Sequence, residues 1–187
     1  MDRYIEIGIR TDPEFPVHML MSALMSKLHR ALVRLEANDI GISFPATQVA
    51  PRTMGTKIRL HGTDGRLGAL METNWFKGMV DHLECSDLLI VPETAQHRVV
   101  RRRQVKSNVE RLRRRRMKRK GESYEQVVQA IPSSLEKQSR LPFITLNSQS
   151  TGEVFKLFIE QSEVGPTAIA GSFNTYGLSQ QATVPWF

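Results

Sequence analysis

The sequence predicts an α+β protein with a ferredoxin-like N-terminal domain over residues 1–94 and a second domain over 95–187 carrying an arginine-rich helix at about 108–120. Two observations predict it. Hydrophobic periodicity switches between two and 3.6 residues in the order β-α-β-β-α-β across the first half. Positive charge is concentrated in one internal segment of the second half.

The elements follow in order. Ile5, Ile7 and Ile9 alternate with Glu6, Gly8 and Arg10, the pattern of a half-buried strand, and Asp12-Pro13 ends it. From about Pro16 to Leu35 a helix is expected, with Leu20, Leu24, Leu28, Leu32 and Leu35 as its apolar stripe. Ile40, Ile42 and Phe44 alternate again, and Ile58 and Leu60 mark a short strand. Arg66 to His82 reads as helical, and Leu88 to Val91 as the closing strand before a boundary at Pro92. The second half opens with the basic strand of HRVVRRRQVKS. Ser107-x-x-Glu110 is a capping-box pattern starting the basic helix, and Gly121 is a suitable stop. Ser123 and Gln126 repeat the capping pattern for a helix to Ala130. Phe143–Leu146, Val154–Ile159 and Ala168–Tyr176 read as strands.

Length and composition bound the class. The chain has 187 residues, 40% of them hydrophobic, which suits one large or two small globular domains. A lone Cys85 excludes an intrachain disulfide and a cysteine zinc cluster. No apolar run is long enough to span a bilayer, and the first residues lack a secretory apolar core. A soluble cytoplasmic protein with no membrane association is expected.

The formal net charge of +7 conceals a strong asymmetry. From His97 to Lys120 there are 13 basic residues against one acidic, net +12, while the remainder nets −5. Such clustering is the electrostatic footprint of a polyanion partner. On the helix Arg111, Arg115 and Arg119 recur every four residues, with Arg114 and Lys118 beside them. Like charges at that spacing repel, so the arrangement makes best sense when phosphates neutralise it. Charge alone does not choose between RNA and DNA. A basic run can also be a solvated face, a disordered tail, a localisation signal or a membrane-surface helix. Nucleic-acid binding is preferred because the run is internal, capped and followed by patterned sequence.

The chemistry-bearing residues are few. Asp81, His82, Glu84 and Asp87 are the densest candidate for metal ligands, but a solvated helix end explains them more simply, so no metal and no cofactor are expected. Walker, GxGxxG and HExxH motifs are missing. Cleavage of RNA without a metal needs less, because the ribose 2′-OH is a built-in nucleophile. A base must take its proton, and the sugar and phosphate must be held in line. Histidine suits the first task. Of the five histidines, His29 lies beside the Leu28 stripe rather than within it. On periodicity alone a partly exposed helical histidine is commonly just surface. The run Thr145 to Gly152 offers hydroxyls between two strands, and its plainer reading is an ordinary turn.

The stretches DPEFPVHMLMSALMSKLHRALV, RRRQVKSNVERLRRRRMKR, LPFITLNSQSTGEVFKLFI and TYGLSQQATVPWF together resemble the Csy-type CRISPR-associated endoribonuclease family of the type I-F system, across essentially the whole chain. The resemblance implies a ferredoxin-like first domain and a smaller C-terminal RNA-binding domain. It implies cutting of precursor CRISPR RNA at the 3′ base of the repeat hairpin, without a metal, leaving 5′-OH and 2′,3′-cyclic phosphate ends, with the product retained. His29 would be the general base. Ser148 would hold the ribose, Ser150 would belong to the same loop, and Tyr176 would orient the histidine. Arg102 and Gln104 would read bases, and Phe155 would stack under the stem. Arg111, Arg114, Arg115, Lys118 and Arg119 would meet phosphates. The implied partners are the repeat hairpin and the subunits of a type I-F surveillance complex, with a free chain that is monomeric.

Overall fold

The computed structural model describes residues 1–104, 109–132, 139–148 and 152–187, with the side chains of 110 and 111 left out. The capping pattern at Ser107 lies outside the described residues.

Alternation works as expected in β1 (Arg3–Ile9), where Ile5, Ile7 and Ile9 are buried. The chain then forms α1 (Val17–Arg34), β2 (Gly41–Ser43), β3 (Lys57–Gly62) and α2 (Asp64–Glu72). Two short strands follow, β4 (Leu83–Cys85) and β5 (Leu89–Ile90). These strands make one antiparallel sheet ordered β2-β3-β1-β4, with β5 pairing further along the same β1. Helix α1 buries Leu20, Leu24, Leu28 and Leu32, with Met21, Met25 and Ala31 widening the stripe. Each fully buried Leu or Met contributes about 1.5–3 kcal/mol, so this helix is held chiefly by its packed face.

The second antiparallel sheet is ordered β7-β8-β6-β9, from β6 (Gln96–Arg103), β7 (Phe143–Asn147), β8 (Val154–Gln161) and β9 (Thr183–Trp186). Between β6 and β7 lie α3 (Val109–Lys120) and α4 (Tyr124–Ala130). By compactness, Met1–Arg103 and Leu141–Phe187 form one unit and Gln104–Arg140 another. The first unit holds both sheets around a continuous core that includes Leu28, Ile42, Ile144, Leu157 and Val184.

Two expected elements differ. The helix over Arg66–His82 ends at Glu72, because Asn74 takes a left-handed φ of 48° and Gly78 one of 82°, leaving only a 3₁₀ turn at Val80–His82. The strand at Ala168–Tyr176 is irregular, and the last strand is β9 instead. Its backbone donors go elsewhere: Ile169 N to the Thr183 hydroxyl, Phe173 N to the Asn38 carbonyl, and Asn174 N to the Leu178 carbonyl. Among the described residues, no helix is long and apolar enough to cross a membrane.

Candidate acid–base site and cationic surface

His29 follows the fully buried Leu28 on α1 and is half-buried at the flank of the stripe. Its Nδ1 lies 2.8 Å from the Thr175 carbonyl oxygen. Its ring stacks on Tyr176, centroids 4.1 Å apart and planes 6° from parallel. A carbonyl oxygen only accepts, so in the neutral imidazole Nδ1 carries the hydrogen and Nε2 keeps the lone pair. The arrangement can therefore accept a proton at Nε2 while both the plane and the tautomer are held. Burial pushes the Tyr176 phenol above its ordinary range, partly opposed by the Arg102 charge, so it stays neutral near pH 7.

The loop beneath His29 is tied to β2. Ile42 N donates to the Gly177 carbonyl at 2.9 Å. Gly177 has φ 69°, and a Cβ there would stand 2.6 Å from Ile42 Cγ2. Glycine is required at this position both by the backbone conformation and by the close approach.

Ser148 is half-buried, directly after β7, a strand that packs against α1. Its N–H donates to the Glu153 carbonyl and its carbonyl accepts from Gly152 N, each at 2.8 Å, closing the β7–β8 hairpin. Ser150 lies outside the described residues. His29, Tyr176 and Ser148 thus belong to one compact unit.

Strand periodicity sorts the arginines of β6. Arg101 and Arg103 both grip Glu160, whose carboxyl their hydrogen bonds hold down at about 2. Arg102 projects from the other face of the strand, its guanidinium 5.8 Å from the centre of the half-buried Phe155 ring, and its charge is felt at Tyr176. Gln104 is exposed just beyond the end of β6.

In the other unit, Arg114, Arg115, Lys118 and Arg119 of α3 are exposed. Arg113 is not: it is 5% exposed and donates through Nε and Nη2 to the Ile131 carbonyl at 3.0 and 2.8 Å. Arg116 pairs with Glu122 at 2.6 Å, holding that carboxyl below its usual range. Val109, Arg113 and Arg116 share one face at helical spacing, so two of the basic residues are structural. The buried Val109 was a clue in the sequence, since Arg113 lies one turn beyond it. The Ser123–Gln126 capping box on α4 is complete, and Gly121, φ 68°, ends α3. The Arg111 side chain lies outside the described residues.

Two further features are not legible in sequence. Thr175 supplies its carbonyl to a residue 146 positions away. His61 is wholly buried, its Nε2 2.9 Å from Ser43 Oγ and its Nδ1 without a hydrogen-bond partner among the described residues. Of the residues weighed as metal ligands, His82 pairs with Asp12 at 2.9 Å.

An imidazole held by a backbone carbonyl and stacked on a tyrosine, in an α+β chain of antiparallel sheets, defines a class: proteins with a candidate acid–base site. The chain belongs to the Cas_Csy4 family of CRISPR-associated proteins, whose sequence model matches residues 4–187. It is 44% identical over 187 residues, all of each chain, to the CRISPR-associated endonuclease Cas6/Csy4 of Pseudomonas aeruginosa (strain UCBPP-PA14). It is equally similar, again over the full length of both, to the protein of that name in Escherichia coli (strain UTI89 / UPEC). A solved structure titled "An RAMP protein binding different RNA substrates" aligns over 98% of the chain and 100% of its own at 10% identity and a TM-score of 0.36. So loose a likeness bears on neither fold nor function.

Proposed function

We propose that this chain is an endoribonuclease that processes precursor CRISPR RNA, cutting at the 3′ base of the repeat hairpin without a metal and staying bound to its product. The observation that carries the reading is the state of His29: one ring nitrogen committed to a carbonyl, the other free to accept, the plane fixed by Tyr176. Full-length similarity to proteins named as endonucleases supports the reaction class.

In this reading Nε2 of His29 removes the proton from the ribose 2′-OH. The oxygen attacks the adjoining phosphorus, the bond to the 5′ oxygen breaks, and that oxygen takes a proton. The products are a 2′,3′-cyclic phosphate and a 5′-OH. The nucleophile belongs to the substrate, so the protein needs only a base and correct alignment. Ser148, with Ser150 in the same loop, holds the ribose. Phe155 stacks beneath the closing base pair. Arg102 and Gln104 read bases, Arg by a fork onto guanine and Gln onto adenine. The exposed Arg114, Arg115, Lys118 and Arg119, together with Arg111, track phosphates, as suits paired RNA, whose deep groove hides its base edges.

The layout belongs to the same proposal. The strand order β2-β3-β1-β4 supports reading residues 1–94 as a ferredoxin-like domain, with 95–187 as the RNA-recognition domain. The free chain is a cytoplasmic monomer that joins the subunits of a type I-F surveillance complex. The test is hairpin cleavage in EDTA, with a substrate carrying 2′-deoxyribose at the cut nucleotide as control. Cleavage should persist in the chelator, and the deoxy hairpin should bind without being cut. Activity that vanishes in EDTA and returns with Mg²⁺ would overturn the mechanism.

A further inference from the structure

The contact that orients His29 comes from a backbone carbonyl, and a carbonyl in an irregular segment points where its loop is held. The loop is held by Asn174. Its Oδ1 accepts from Tyr176 N at 2.8 Å and from Leu178 N at 3.2 Å. Its own N–H donates to the Leu178 carbonyl, and its carbonyl accepts from Gly177 N, each at 2.8 Å. Four hydrogen bonds thus close residues 174–178 around one side chain. Thr175, whose carbonyl meets Nδ1, and Tyr176, whose ring lies under the imidazole, both sit inside that closure. The anchors on either side reach the first sheet and its α1–β2 connection: Phe173 N to the Asn38 carbonyl and Gly177 O to Ile42 N.

We propose that Asn174 is a positioning residue for the reaction, fixing the His29 tautomer by holding the Thr175 carbonyl on Nδ1 and the Tyr176 ring beneath the imidazole. Short side-chain acceptors bond backbone N–H groups two residues ahead, and asparagine and aspartate do so best. Without the acceptor, two N–H groups lose their partner, the turn opens, and the carbonyl leaves Nδ1. The imidazole is then free to place its hydrogen on Nε2, the nitrogen that must accept the ribose proton. A histidine in the wrong tautomer is a base facing the wrong way. The catalytic consequence rests on the proposed ribonuclease reading; the tautomer does not.

The test compares Asn174→Ala with Asn174→Asp, which keeps the acceptor. Long-range nitrogen–carbon NMR on protein labelled at histidine, at a pH above the imidazole range, reads the tautomer of His29. Its signals are assigned by their loss in His29→Ala. The parent and Asn174→Asp should show hydrogen on Nδ1, and Asn174→Ala should show a mixture dominated by hydrogen on Nε2. Single-turnover cleavage of the repeat hairpin should fall roughly 10²-fold in Asn174→Ala, as for a small misplacement of a reacting group, and return in Asn174→Asp, with hairpin affinity unchanged in both. The proposal is overturned if Asn174→Ala keeps hydrogen on Nδ1, or loses it with no fall in rate. Should the parent protein cut no hairpin, the ribonuclease reading fails, and the tautomer measurement still decides whether Asn174 orients His29. Should Asn174→Ala fail to fold, Asn174→Ser and Asn174→Gln, of differing reach, take its place, and an unaltered tautomer in both overturns the proposal.

Discussion

His29 and His61 each make a close ring-nitrogen hydrogen bond, through different nitrogens, to different kinds of partner and at different depths. His61 has Nε2 2.9 Å from a serine hydroxyl, a pairing that in isolation resembles a nucleophile and its base. Both groups are fully buried on neighbouring strands, where no substrate reaches them. His29 has Nδ1 2.8 Å from a carbonyl and lies half-buried on a helix flank. The partner decides which nitrogen is left over, and burial decides whether anything can use it. Arg113 and Arg115 repeat the contrast on α3: one is spent on the Ile131 carbonyl inside its unit, and the other is exposed. Residue type is the same within each pair, and exposure is what separates its members.

The largest effect expected from this contrast is on cleavage. His29→Ala should slow single-turnover cutting of the hairpin by roughly 10²–10⁴-fold, the range for loss of a general base, with binding in a gel-shift assay unchanged. A double change of Ser43→Ala with His61→Leu, which removes both buried partners, should leave the cleavage rate as it was. A His61 variant that folds normally yet loses cutting would break the comparison.

The next effect is on acid stability. Burial, with help from Arg59 and the N-terminal ammonium, lowers the His61 pKa to about 3. In the unfolded chain a histidine binds its proton near ~6.5. Stability from this group is therefore whole above that value and is lost as pH falls toward about 3. The loss is about 1.4 kcal/mol for each pH unit inside the window. Urea midpoints measured between pH 7 and about pH 4 should fall more steeply in the parent than in the double variant. Equal slopes would mean that His61 is not held neutral.

The smallest effects sharpen the second pair. Arg115→Ala should weaken hairpin binding and reduce the slope of log affinity against log salt by about one unit per lost phosphate contact, with no change in thermal stability. Arg113→Ala should cost about 1–3 kcal/mol by leaving the Ile131 carbonyl unpaired, read as lost helix signal at a lower melting temperature. If Arg113→Ala moved the salt slope and left stability alone, burial would not be what divides these arginines.

Much of this was readable from local pattern. The leucines of α1 and the isoleucines of β1 carry their periods plainly, because one buried face selects one residue class every turn or every second residue. The Ser123–Gln126 cap and the stop at Gly121 are local chemistry and came through intact. The Arg66–His82 helix failed where Asn74 turned left-handed, a conformation its side chain tolerates but does not announce. The strand expected at Ala168–Tyr176 failed because its backbone found loop partners, and those partners lie in the α1–β2 connection, on β9 and within the loop itself. Among the basic residues, the inward turn of Arg113 and the pairing of Arg116 with Glu122 were masked by the run of like residues at 113–116, with Val109, one turn before Arg113, as the clue.

The family resemblance singled out one histidine, His29; residue pattern by itself determined the mixed α+β composition and the one intensely cationic element. These are properties of residues and their spacing, set within a few turns of chain. Only the tertiary structure decided which nitrogen of that histidine is free and which arginines face solvent. A hydrogen bond between His29 and Thr175, 146 residues apart, has no trace in local pattern, and neither does the depth at which a given guanidinium is buried.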